Sequence, residues 1–143
     1  MRSNGTSASW GASGAFVYNI FNPLNSAKTV YINSIQTYCT ASTYEALWLT
    51  TADLASPTGT LLVTNFNSKG PSSVVNCSFL NLSAPAPTGT LVYGLGHIAA
   101  QWTSLLTNNQ VVTLVPGTGL QLYYTTQGSS GAFYNCLCSG LEQ

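Results

Sequence analysis

Carboxylate and imidazole side chains are scarce in this 143-residue chain: Glu45, Asp53, Glu142 and a single histidine, His97. Acid–base or nucleophilic catalysis needs such groups in convergent positions. A serine–His97–Asp53 triad can be written, but no Gly-x-Ser-x-Gly elbow accompanies it, and serine is too common here for the coincidence to carry weight. A Glu45/Asp53 pair of the glycosidase kind lies on or beside one strand and has no partner motif. His97, in "YGLGHIAAQW", reads as a structural or surface histidine at a strand end. Gly94-Leu95-Gly96 and Gly117-Thr118-Gly119 lack the lysine or helix start that a phosphate loop requires. The expectation is a protein with no catalytic residue and no cofactor.

The thiols are Cys39, Cys77, Cys136 and Cys138. Cys136 and Cys138 are two apart, so on a strand they face the same way. Buried free thiols are the leading expectation, with a disulfide or a metal as alternatives. A C-x-C pair with one distant histidine is not a recognised zinc spacing, so no metal is assigned.

Charge is the unusual feature of the composition. Charged residues make up 4% of the chain and sum to zero, where an ordinary soluble domain has roughly a quarter. The surface must be neutral and polar, which suits a subunit of an assembly better than a concentrated free monomer. With no basic patch, nucleic acid is not an expected partner. No apolar run approaches the roughly 18 residues that span a bilayer, so no membrane is expected. The opening "MRSNGTSASWGASGAF" has no apolar core, so no signal peptide is expected, and the chain should stay in the cytosol or leave it inside a larger particle. The triplets at Asn4, Asn76 and Asn81 that match a glycosylation acceptor are then chance.

The elements that must hold these residues read as strands. "AFVYNIF" (15–21), "TVYINSIQTYC" (29–39), "LLVTNF" (61–66), "SVVNCSFL" (73–80), "TLVYGLGHI" (90–98), "VVTLV" (111–115), "LQLYYTT" (120–126) and "AFYNCLC" (132–138) are rich in β-branched and aromatic residues. In "LQLYYTT", Leu120, Leu122 and Tyr124 share one face. Residues 44–51 have partial helical spacing, but Thr50-Thr51 and the lack of a charged face favour a strand. Turn signals such as "NPLNS", "SPTG" and "APAPTG" separate the runs. The fold expected is all-β: a jelly-roll-like or Greek-key sandwich of about eight strands, one domain over 15–143, preceded by an extended N-terminal arm over 1–14.

"PTGTL" occurs at 57–61 and again at 87–91, and "PGTGL" at 116–120. The flanks diverge at once, so a reused turn-into-strand device is favoured over a duplication or matching binding loops. Gly59, Gly89 and Gly119 are expected to be structural.

The Gly/Ser-rich arm would be disordered alone, with Trp10 as its anchor to its own domain or to a neighbouring subunit. Aromatic residues on strands serve as core, as protein interface or as a sugar-stacking face. Trp10, Phe16 and Trp102 are the candidate interface residues.

The ending "VVTLVPGTGLQLYYTTQGSSGAFYNCLCSG", with "SAPAPTGTLVYGLG" before it, resembles the C-terminal part of short all-β virion proteins of tailed bacteriophages. The resemblance covers about the last third of the chain and is a pattern of turns and strands. It implies a head decoration or cement protein located in the virion, bound to the major capsid protein or another virion protein as a homo-oligomer, a trimer first. The alternative it implies is a tail-fibre or receptor-binding module that recognises host-surface glycans through exposed aromatics.

Overall fold

The computed structural model describes residues 2–10, 15–61, 63–64, 72–80, 87–126 and 132–143, the first of these by its backbone. Among them there is no helix. Twelve strands follow in chain order: β1 (Arg2–Trp10), β2 (Ala15–Asn22), β3 (Val30–Cys39), β4 (Thr43–Thr50), β5 (Gly59–Thr60), β6 (Val63–Thr64), β7 (Asn76–Leu80), β8 (Thr90–His97), β9 (Gln101–Ser104), β10 (Val112–Leu114), β11 (Thr118–Thr126) and β12 (Ala132–Glu142).

They form two six-stranded antiparallel sheets. Sheet A has the order β10-β3-β12-β1-β6, with β9 also on β3; sheet B has the order β5-β7-β2-β11-β4-β8. β9 and β10 pair with the two ends of β3, along the edge opposite β12. The run β1-β12-β3-β9/β10 therefore faces β2-β11-β4-β8, which is the jelly-roll order expected for this class.

Alternation explains the core. Phe16, Tyr18 and Ile20 of β2, Leu120, Leu122 and Tyr124 of β11, and Tyr134, Cys136 and Cys138 of β12 all turn inward into one cluster. A bulge between Ser139 and Gly140 on β12 accommodates an extra residue of β3, so Ile32 and Ile35, three apart, both face the core. All four cysteines are buried, and none is in a disulfide.

The N-terminal segment is held by its own domain, one of the two anchorages expected for it. Arg2–Trp10 is a strand inside sheet A, paired with β12 from Arg2↔Ser139 to Trp10↔Ala132 and with β6 at Arg2 and Ser3. Its Ser/Gly/Asn sequence carries no intrinsic strand preference, and the long hydrogen-bonding edge of β12 supplies what the side chains do not. β9 and the two-residue β5 were also not expected from the sequence, whereas the region 44–51 is the strand β4.

Candidate functional site

The groups with chemical potential are placed apart. Glu45 sits on β4 directly opposite Tyr124 of β11 and is fully buried in the core. Tyr124 Oη donates to Glu45 Oε1 at 2.7 Å, and Thr37 Oγ1 donates to Oε2 at 3.1 Å. Tyr124 Oη also contacts Tyr134 Oη, a short hydrogen bond across to sheet A. Burial pushes the Glu45 carboxyl up to about 7, against the opposing pull of the Tyr124 and Thr37 hydrogen bonds. Burial likewise raises both tyrosines and the thiols of Cys39, Cys136 and Cys138. A substrate cannot reach Glu45, and raised thiols are poor nucleophiles.

Asp53 lies on the other side of sheet B. Residues 51–58 connect β4 to β5, so they must cross the outer face over β11, β2 and β7. On that path Asp53 Oδ1 accepts from Asn19 Nδ2 at 2.8 Å, and Leu54 packs against Ala15 and Val17. Asn19 is fully buried under this strap; it also donates to Ser78 Oγ at 3.1 Å and accepts from Gln121 Nε2 at 3.1 Å. The row Gln121–Asn19–Ser78 is thus a satisfied polar seam, and Asp53 closes it. Glu45 and Asp53 occupy opposite faces of the sheet and cannot flank one sugar. His97 ends β8, opposite Thr43, three strands away from the β2 that holds Asp53. At roughly 4.8 Å per strand that is about 14 Å, too far for a triad.

A cavity of about 480 Å³ lies beside the strap, lined by Asp53, Thr60, Ser73, Asn76 and Ser78 together with apolar Leu61 and Val75. Two of its polar side chains are engaged: Ser73 Oγ donates to Glu142 Oε1, and Asn76 Nδ2 donates to Asp53 Oδ2 at 3.4 Å. Among the described residues no group of three His, Cys, Asp or Glu side chains could hold a metal.

The outer face of sheet A is different. Tyr31 and Tyr38 of β3, Leu137 and Leu141 of β12, and Trp102 of β9 point outward, interleaved with Gln36, Ser104, Thr113 and Ser139. Trp102 is 52% exposed and packs on Tyr38, ring centroids 5.5 Å apart. No outward position of β3, β9, β10 or β12 carries a charge. The nearest carboxylate, Glu142, belongs to the inward register opposite Val30 and is tied to Ser73.

Of the three candidate interface residues, Trp102 lies on this face. Trp10 ends β1 opposite Ala132, and its side chain is outside the described residues. Phe16 is a correction: it is 1% exposed, packed against Tyr134 and Phe79 in the core, and is not available to a partner. Its place on the inward register with Tyr18 and Ile20 explains this. The Glu45 cluster went unnoticed in the sequence, although alternation within "YEALWL" places Glu45 on the same face as Leu47.

No protein-family model matches the chain, and neither the curated proteins nor the solved structures contain a match. The class is therefore defined by the fold alone: a jelly-roll β-sandwich with one strapped outer face and one outer face that carries no charge over β3, β9, β10 and β12.

Proposed function

We propose that the protein is a non-enzymatic structural component of a virus particle, a capsid decoration or stabilising protein that assembles with copies of itself through the outer face of sheet A. The observation that carries this reading is that face: aromatic and aliphatic side chains among neutral polar ones, with no charge at an outward position of its described strands β3, β9, β10 and β12. Two copies meeting over these four strands, clear of Arg2 at the end of β1, remove apolar surface from water without desolvating a charge and without like-charge repulsion. The strap leaves no equivalent open area over β2 and β7. The resemblance to phage virion proteins falls on β10, β11 and β12, where Thr118 N and Oγ1 close the intervening turn on Val115 O at 3.1 and 2.7 Å. A trimer on the capsid is the working assembly.

The test is copurification with intact particles at high copy number, alongside a Trp102→Ser variant. Loss of both self-association and particle binding in the variant supports the reading. The exposed Trp102 ring also supports the second reading, a glycan-recognition module. Trp102-dependent glycan binding by a monomer absent from particles would put that reading first.

A further inference from the structure

Glu45 has no role in the assembly reading, yet it is the one carboxyl that the fold encloses completely. Its hydrogen bonds cross between the sheets. Glu45 and Tyr124 belong to sheet B, while Thr37 and Tyr134 belong to sheet A. Thr37 to Glu45 is one crossing and Tyr124 to Tyr134 is the other. No cationic side chain among the described residues contacts the carboxyl.

We propose that Glu45 is a proton-operated clasp between the two sheets, closed when its carboxyl is protonated and released when it ionises. The neutral acid completes a hydrogen-bonded bridge within an apolar core. The carboxylate keeps two donors but carries a charge with no counter-ion, which favours conformations that let water in between the sheets. The other titratable groups facing it do not offset this charge. Tyr124 and Tyr134 stay neutral, and the Cys136 thiol on β12 and the Cys39 thiol on β3 are held protonated by burial. β8 places Leu95 opposite Glu45 and His97 opposite Thr43; the imidazole is outside the described side chains, so its part is tested directly below. β1 carries no titratable side chain except Arg2, at the Ser139 end.

The direction follows from linkage. A carboxyl whose folded value is about 7 and whose ordinary value is 4.5 stabilises the fold fully below 4.5, and that stability is lost as pH rises toward 7. The unfolding constant should rise about tenfold per pH unit in this window, roughly 10²–10³-fold in all.

The experiment is urea unfolding from pH 4 to 8.5 for the wild type, Glu45→Gln and His97→Gln. Glutamine has the shape and hydrogen-bonding capacity of the neutral acid. The expected result is a fall in wild-type stability between pH 4.5 and 7, a flat profile for Glu45→Gln and a wild-type profile for His97→Gln. A flat wild type, a Glu45→Gln profile that still falls, or flattening by His97→Gln alone overturns the proposal. Should Glu45→Gln not fold, carbon NMR of wild-type protein labelled at glutamate decides, because Glu45 and Glu142 are the only two glutamates. A glutamate side-chain carboxyl should titrate near neutrality; a spectrum with no such titration overturns the clasp.

Discussion

A buried carboxyl is tolerable only while its oxygens are satisfied, and the hydroxyls of Tyr124 and Thr37 do this for Glu45. Tyr124→Phe removes the donor to Oε1 and the link to Tyr134 together. It should destabilise the protein by about 1–3 kcal/mol. It should also move the Glu45 titration further up, because the Tyr124 hydrogen bond is one of the two influences that lower it. Denaturant unfolding and a glutamate-resolved NMR titration check the two halves separately, and an unchanged titration would mean that Tyr124 does not donate to Glu45. Phe16 and Trp102 form a contrasting pair. Phe16→Ala opens a cavity in the core and should cost about 3–5 kcal/mol. Trp102→Ser, on the surface, should leave the melting of dilute protein within about 1 kcal/mol of wild type and weaken association instead. Thermal melts at micromolar concentration distinguish them, and equal losses would mean that Trp102 is structural. At this scale the sequence is a partial guide. Alternation along "LQLYYTT" separates the inward Tyr124 from the outward Tyr123, but residue type alone makes Phe16 and Trp102 look equivalent. What sets them apart is the side of the sheet each faces, and for Trp102 that depends on β9, a strand the sequence does not announce.

Strands succeed here by pairing more than by composition. Between its terminal Arg2 and Trp10, β1 is built from Ser, Gly, Asn, Thr and Ala, yet it lies between β12 and β6. Deleting residues 1–14 therefore does more than remove a docking arm. It uncovers the edge of β12, an eleven-residue strand, and a long bare edge recruits other chains. The truncated protein should aggregate or lose cooperative unfolding, which light scattering and a denaturant titration would show; a monodisperse, cooperatively folding truncation would make β1 dispensable. The repeated Pro-Thr-Gly-Thr phrase does feed strands, β5 in one case and β8 in the other. Positive φ is not the shared reason for its glycines. A Cβ on Gly89 would lie 2.1 Å from Leu49 O of β4, backbone against backbone, whereas on Gly59 it would meet the Phe79 ring at 2.8 Å. Gly89→Ala should thus lower thermal stability the more of the two, because a ring can shift and a ladder carbonyl cannot. Equal melting temperatures for both variants would contradict that ranking. Alternating apolar runs were legible as strands over most of the chain. β1, β5 and β9 were not, since their extended form comes from neighbours distant in sequence.

The whole molecule is two sheets with unlike exteriors. The outside of sheet B is crossed by the 51–58 strap, which seals Asn19 with Asp53, while the outside of sheet A presents Tyr31, Tyr38, Trp102, Leu137 and Leu141 with no charge among them. The sandwich class was readable from strand density and turn spacing. The asymmetry between its faces was not, because it depends on which strands neighbour which. Assembly through the bare face should not rely on ion pairs and so should be nearly independent of salt. The most direct measurement is sedimentation velocity of the wild type and Trp102→Ser over a hundredfold range of concentration, at low and at molar sodium chloride. The account predicts a wild-type oligomer, a trimer first, whose dissociation constant shifts less than tenfold with salt, and a Trp102→Ser protein that is folded but monomeric. A wild type that stays monomeric throughout, or an oligomer that Trp102→Ser leaves intact, would contradict it.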